Sequence, residues 1–125
     1  MKFFLPATAM LLLALPAQKC GESKKATKLY KARLEVKALC MNYTFQLLEG
    51  EMDSSRVSSS WTDPTTGKSY SRAFGLANPC DFPPGIREGE EFYFSLDTAL
   101  NRNCAVCMAY YPTPPKKLII KVAAK

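Results

Sequence analysis

Between Tyr30 and Leu47 apolar and polar residues alternate with a period of two, and the phase of that alternation flips once. Tyr30, Ala32, Leu34, Val36, Ala38 and Cys40 form the first apolar set, against Lys31, Arg33, Glu35 and Lys37. After the flip the apolar set is Leu39, Met41, Tyr43, Phe45 and Leu47, against Asn42, Thr44 and Gln46. Successive side chains of a strand point to opposite faces, so this pattern predicts extended chain with one buried face. An inserted residue near 38–41 restores both halves to one core face, as a β-bulge does. The expectation is a long, bent first strand, suited to a small sheet that curls or closes.

The chain downstream predicts more strands. Val57–Thr62 and Ser69–Leu76 flank Asp63-Pro64 and Gly67-Lys68, which supply hairpin turn chemistry. Pro79, Pro83 and Pro84 mark a loop, after which "EEFYFSLD" alternates with Phe92, Phe94 and Leu96 on one face. Asp97 is a fair N-cap for a helical turn over 97–103. Val106–Tyr111 and Lys117–Val122 are the last strand candidates, separated by Pro112, Pro114 and Pro115. Six or seven short strands with turn signals about every ten residues predict an all-β domain over 28–123. Its expected form is a small antiparallel barrel, OB-like and Greek-key, or a sandwich, stapled by disulfides.

The staples come from five cysteines, Cys20, Cys40, Cys80, Cys104 and Cys107, in a chain with no histidine. Cys104 and Cys107 form a C-x-x-C. As a redox motif it wants a helix N-terminus to lower the thiol pKa, but Met108 to Tyr111 lead straight into prolines. As half of a zinc site it lacks a second C-x-x-C knuckle. Structural disulfides remain. In extended chain the two Cα atoms of a C-x-x-C lie about 10 Å apart, beyond the roughly 7 Å that a disulfide spans. Each then bonds elsewhere, with Cys40 and Cys80 as partners, and which takes which is open. Cys20 is left without an intramolecular partner.

"MKFFLPATAMLLLALPA" carries one charge, Lys2, ahead of an apolar run. This is the layout of a secretory signal peptide over 1–17, with cleavage after Ala17 exposing Gln18 and a polar tail over 18–27. Pro16, Gln18 and Lys19 interrupt the run before the roughly 20 residues a transmembrane helix needs. Cys20 is then a candidate for lipid attachment, although Lys19 is larger than the residue that usually precedes a lipidated cysteine, or for linking two chains into a dimer. Export places the cysteines where disulfides persist.

The formal net charge is +6, with basic residues gathered near both ends, from Lys19 to Lys37 and from Lys116 to Lys125. Basic ends can favour an anionic surface. Export and the lack of any recognition motif argue against nucleic acid, so solvated tails and strand faces account for the charge. Without histidine there is no Ser-His or Cys-His pair and no imidazole base. Glu88, Glu90 and Glu91 crowd a strand entry, where a solvated edge accounts for them better than an acid pair. Gly85 and Gly89 form no phosphate-binding pattern. Asn42-Tyr43-Thr44 matches the N-x-T acceptor but lies mid-strand.

"KARLEVKALCMNYTFQLLEG", "NPCDFP" and "GEEFYFSLDTALNRNCAVCMAYYPTPPKKLIIKV" together resemble small exported, lipoprotein-like proteins of Bacteroidota. The resemblance implies an extracytoplasmic location: periplasmic, secreted or outer-membrane associated. It transfers no activity. The functional expectation is an exported, non-enzymatic structural or binding module without cofactor or metal. Its partner, another protein or the cell envelope, would be met by aromatics such as Trp61, Tyr70, Tyr110 and Tyr111. The alternative is a thiol-disulfide redox protein using Cys104 and Cys107.

Overall fold

The computed structural model describes residues 27–99 and 104–124. Seven strands form one sheet: β1 (Tyr30–Ala38), β2 (Asn42–Glu49), β3 (Ser58–Thr62), β4 (Ser69–Leu76), β5 (Glu91–Leu96), β6 (Lys117–Leu118) and β7 (Ile120–Ala124). The hydrogen-bonded path runs β3-β4-β2-β1-β5-β7 and is not itself closed into a ring. All its pairings are antiparallel, while β6 lies off the path and pairs β4 in parallel. The described residues are therefore all-β, with two short 3-10 turns at Leu39–Met41 and Pro79–Asp81.

The phase flip near Cys40 is a reversal of direction, not a bulge in one long strand. Ala38 faces Asn42 across a hairpin whose turn is Leu39–Met41. Cys40 and Met41 take left-handed backbone, φ 56° and 59°, and the Asn42 side chain bonds the Leu39 carbonyl. Irregularities do occur in this pair, but at Lys31/Ala32 and at Leu34/Val36. A tight hairpin and a bulge both shift the alternation, so the pattern alone does not separate them.

The inward faces meet in an aromatic core. Phe45, Phe74, Phe92 and Phe94 are fully buried, and Phe82 joins them from the loop after β4. Phe45 lies 5.1 Å from Phe74 and 5.2 Å from Phe82, ring centre to ring centre, and Phe92 lies 5.4 Å from Phe82. Each such pair adds about 0.5–1.5 kcal/mol to what burial supplies. At the far end of β1, Gly50 (φ +110°) turns beside Tyr30, where a Cβ would lie 2.5 Å from the ring, so a larger residue there would displace a core side chain.

Polar clamps hold the loops onto this core. Asn78 is buried and pairs with both the N–H and the carbonyl of Ile120, doing for β7 what a neighbouring strand would do. Lys37 Nζ donates to the carbonyls of Pro84 and Ile86, fixing the proline loop against the end of β1. Two expected elements differ. Residues 106–111 form no strand: no segment of the sheet pairs with them, and the disulfides at Cys104 and Cys107 set their path instead. Asp97 accepts from the N–H of Thr98 and Ala99, but 97–99 are not helical and 100–103 lie outside the described residues. The expected signal peptide, polar tail and Cys20 also lie outside them, apart from Thr27.

Candidate functional site

Residues 104–116 form a strap without regular structure, running from the first disulfide back to β6. Two bonds anchor its start: Cys80–Cys104 with Cα atoms 5.5 Å apart, and Cys40–Cys107 with Cα atoms 5.1 Å apart. The C-x-x-C thus serves two separate staples, and the structure decides the pairing that spacing left open. The separations are 24 and 67 residues, so each staple joins distant parts of the chain.

Beyond Cys107 the strap is tied by side chains. Asn42 Nδ2 donates to the Ala109 carbonyl at 3.0 Å, so the N-x-T asparagine is engaged in structure. The Tyr111 hydroxyl donates to Asp63 Oδ2 at 2.7 Å, while Asp63 Oδ1 accepts the Thr65 N–H at 2.7 Å. Burial would raise the Asp63 pKa, but the Tyr111 hydroxyl and the N–H groups of Thr65 and Thr66 outweigh it and hold the carboxyl below its ordinary value. Conversely, bonding to Asp63, with some burial, raises the Tyr111 phenol. Pro114 is buried, and the strap crosses β4 where Gly75 leaves room: a Cβ there would lie 3.2 Å from Lys117 Cγ and 3.4 Å from the Pro114 carbonyl. Gly75 N–H also bonds the Lys116 carbonyl.

The strap's first half presents apolar side chains outward. Met108 is 95% exposed, Tyr110 81% and Val106 42%; the adjoining turn adds Leu39 at 55% and Met41 at 38%. The Cys40–Cys107 bond and the Asn42–Ala109 hydrogen bond hold these two excursions together as one tip. No charged residue occurs from Leu39 to Leu48 or from Cys104 to Pro115. Behind the tip a cleft of about 130 Å³ is lined by Cys40, Met41, Tyr43, Leu76, Val106 and Lys117, among others. Exposed apolar side chains are common singly; here five of them stand on two segments joined by a disulfide and a hydrogen bond.

The other sequence candidates are dispersed. Trp61 and Tyr70 stack across β3 and β4, centroids 6.4 Å apart and half-buried. Tyr111 is the latch to Asp63, and only Tyr110 of the four aromatics stands largely free. Glu91 sits between Arg33 (3.0 Å) and Lys31 (3.2 Å), and bonding to Arg33 and then Lys31 lowers its pKa. Glu88 accepts the Lys37 N–H, and Glu90 accepts the Arg87 N–H. These are strand-edge ties spread over several partners. Among the described residues no group of three or more Cys, Asp or Glu could hold a metal, and no helix is long and apolar enough to cross a membrane. Sequence reading missed Leu39, Met41, Val106 and Met108 as surface, because alternation assigned them to strands.

No family model, curated protein or solved structure matches this chain.

Proposed function

We propose that the chain is an exported, non-enzymatic binding module that docks a protein partner through the tip formed by Leu39, Met41, Val106, Met108 and Tyr110. The observation that carries this reading is the ordering of uncharged apolar side chains in water by a disulfide, where burial offers them no return. Two disulfides favour an oxidising compartment, in keeping with the signal layout of residues 1–17. The tip's lack of charge favours a protein over an anionic membrane surface, whose attraction rests on basic residues beside the apolar ones. Uncharged composition calls for an uncharged apolar hollow on the partner, and Met41 and Met108 suit imperfectly matched surfaces.

For the scaffold, a barrel-like Greek-key arrangement is favoured over a sandwich. Its support is the C-terminal segment: β6 pairs β4, β7 pairs β5, and Ile119 alone separates them. The Ile119 carbonyl accepts from Asp97, and the Leu118 carbonyl accepts from Ala77, so one segment links the two sides.

A photo-crosslinking amino acid at position 110 of the exported protein tests the docking reading, with position 59 on β3 as control. The expected result is one discrete protein adduct at 110, lost in Met108→Asp. The reading is overturned by equal labelling at both positions, by tip-dependent binding to phospholipid vesicles, or by catalysed reduction of insulin through Cys104 and Cys107.

A further inference from the structure

We infer that the Cys40–Cys107 bond is a reducible modification site that controls the apolar tip, whereas Cys80–Cys104 is a permanent staple; the controlled activity rests on the docking reading above. The two bonds differ in what they hold. Cys40 lies at φ 56°, ψ 34° and Met41 at φ 59°, two consecutive non-glycine residues in left-handed backbone. Side chains with a Cβ are disfavoured there, so the turn stores strain that the closed bond helps to retain. Cys80 and Cys104 have no positive φ. Each bond joins an exposed cysteine, Cys107 or Cys80, to a half-buried one, Cys40 or Cys104, so access is similar and the strained turn is what makes Cys40–Cys107 the more labile.

The strap divides at the same place. From Tyr111 onward it is secured by the bond to Asp63, by buried Pro114, and by Gly75 and β6. Over residues 105–110 the described ties are the Cys107 bond and the Asn42–Ala109 hydrogen bond, and every one of these side chains is exposed. Opening Cys40–Cys107 therefore frees the tip without touching the aromatic core.

The co-reactant is a dithiol. Its thiolate attacks one sulfur of the Cys40–Cys107 bond and forms a mixed disulfide, and the second thiol resolves it. Two electrons and two protons pass to Cys40 and Cys107, which become free thiols, and the dithiol leaves as a disulfide. The relaxed turn and the loosened strap then no longer present Leu39, Met41, Met108 and Tyr110 as one surface.

The test titrates the oxidised protein with dithiothreitol, traps thiols with iodoacetamide, and maps them by mass. Cys40 and Cys107 are expected to alkylate at a tenfold or more lower reductant activity than Cys80 and Cys104. Chymotrypsin should then cut after Tyr110 while the far-ultraviolet dichroism of the sheet persists. Met41→Gly, which removes one strained residue, should make the bond several-fold harder to reduce. Alkylation of Cys80 and Cys104 first, or of all four in one step with loss of the sheet, overturns the proposal. Crosslinking at position 110 in both states separates the two readings: no adduct in either state sinks the docking reading, and equal adduct in both sinks the switch.

Discussion

β5 and the first half of the strap are built from similar residues and lie on opposite sides of the surface. "EFYFSL" buries Phe92 and Phe94 completely, whereas "AVCMAY" leaves Met108 95% and Tyr110 81% exposed. Backbone pairing makes the difference. β5 is hydrogen-bonded on both sides, to β1 and β7, so alternate side chains must face the core. Residues 105–110 lie in no ladder, and the disulfides decide where they go. Apolar content alone therefore does not place a residue; paired backbone or a covalent tie does.

The comparison breaks most sharply in the core. Phe45→Ala removes the ring that contacts Phe74, Phe82 and Phe92, and is expected to cost about 3–5 kcal/mol. Chemical denaturation with an unchanged slope would measure it; a loss under 1 kcal/mol would show that the cluster does not carry the fold.

Next in size are the staples. Loop entropy assigns about 4 kcal/mol to a 67-residue closure and about 3 kcal/mol to one of 24 residues. Replacing Cys40 and Cys107 by serine also releases left-handed strain on the order of 1–2 kcal/mol per residue. With two such residues, Cys40 and Met41, that release exceeds the difference of about 1 kcal/mol between the loops, so replacing Cys40 and Cys107 should cost less than replacing Cys80 and Cys104. Melting that tracks loop length alone would remove the strain from the account.

A smaller effect concerns the latch between the strap and the β3–β4 hairpin. The Asp63 carboxyl sits below its ordinary value, so the stability it contributes is fully present above about pH 3.9, the unfolded value. It is lost as pH falls through the lower folded value. Tyr111 is raised, so its contribution is complete below about pH 10 and lost as pH rises through the folded value. Proteolytic susceptibility of 110–116 should be flat between these limits and rise outside them. Asp63→Asn should abolish the acid limb; an unchanged limb would place the titration elsewhere.

The smallest expected change is at the tip itself. Met108→Ser, on an almost fully exposed side chain, should alter stability by no more than about 0.5 kcal/mol. A clear loss would mean that Met108 packs in the folded protein and is not held for a partner.

Much of the sheet was legible in the chain. Alternation marked Tyr30, Ala32 and Leu34, then Phe45 and Leu47, then Phe92 and Phe94, all of which are buried. The Asp63-Pro64 and Gly67-Lys68 turn lies between β3 and β4 as read. Legibility failed where local pattern has two solutions. The Cys40 flip fits a bulge or a hairpin, and 106–111 has the composition of a strand but not the partners. The tip was illegible for the same reason, since its members come from turns 67 residues apart joined by one bond.

By itself the sequence determined the period-two faces, the proline stops and a thiol set that forces C-x-x-C to bond elsewhere when extended, because all of these act within a few residues along the backbone. Only the tertiary structure decided that Cys107 takes Cys40, that Gly75 lets the strap cross β4, and that Met108 and Tyr110 face water. Those outcomes depend on which distant segments meet, and spacing along a chain does not encode distance through space.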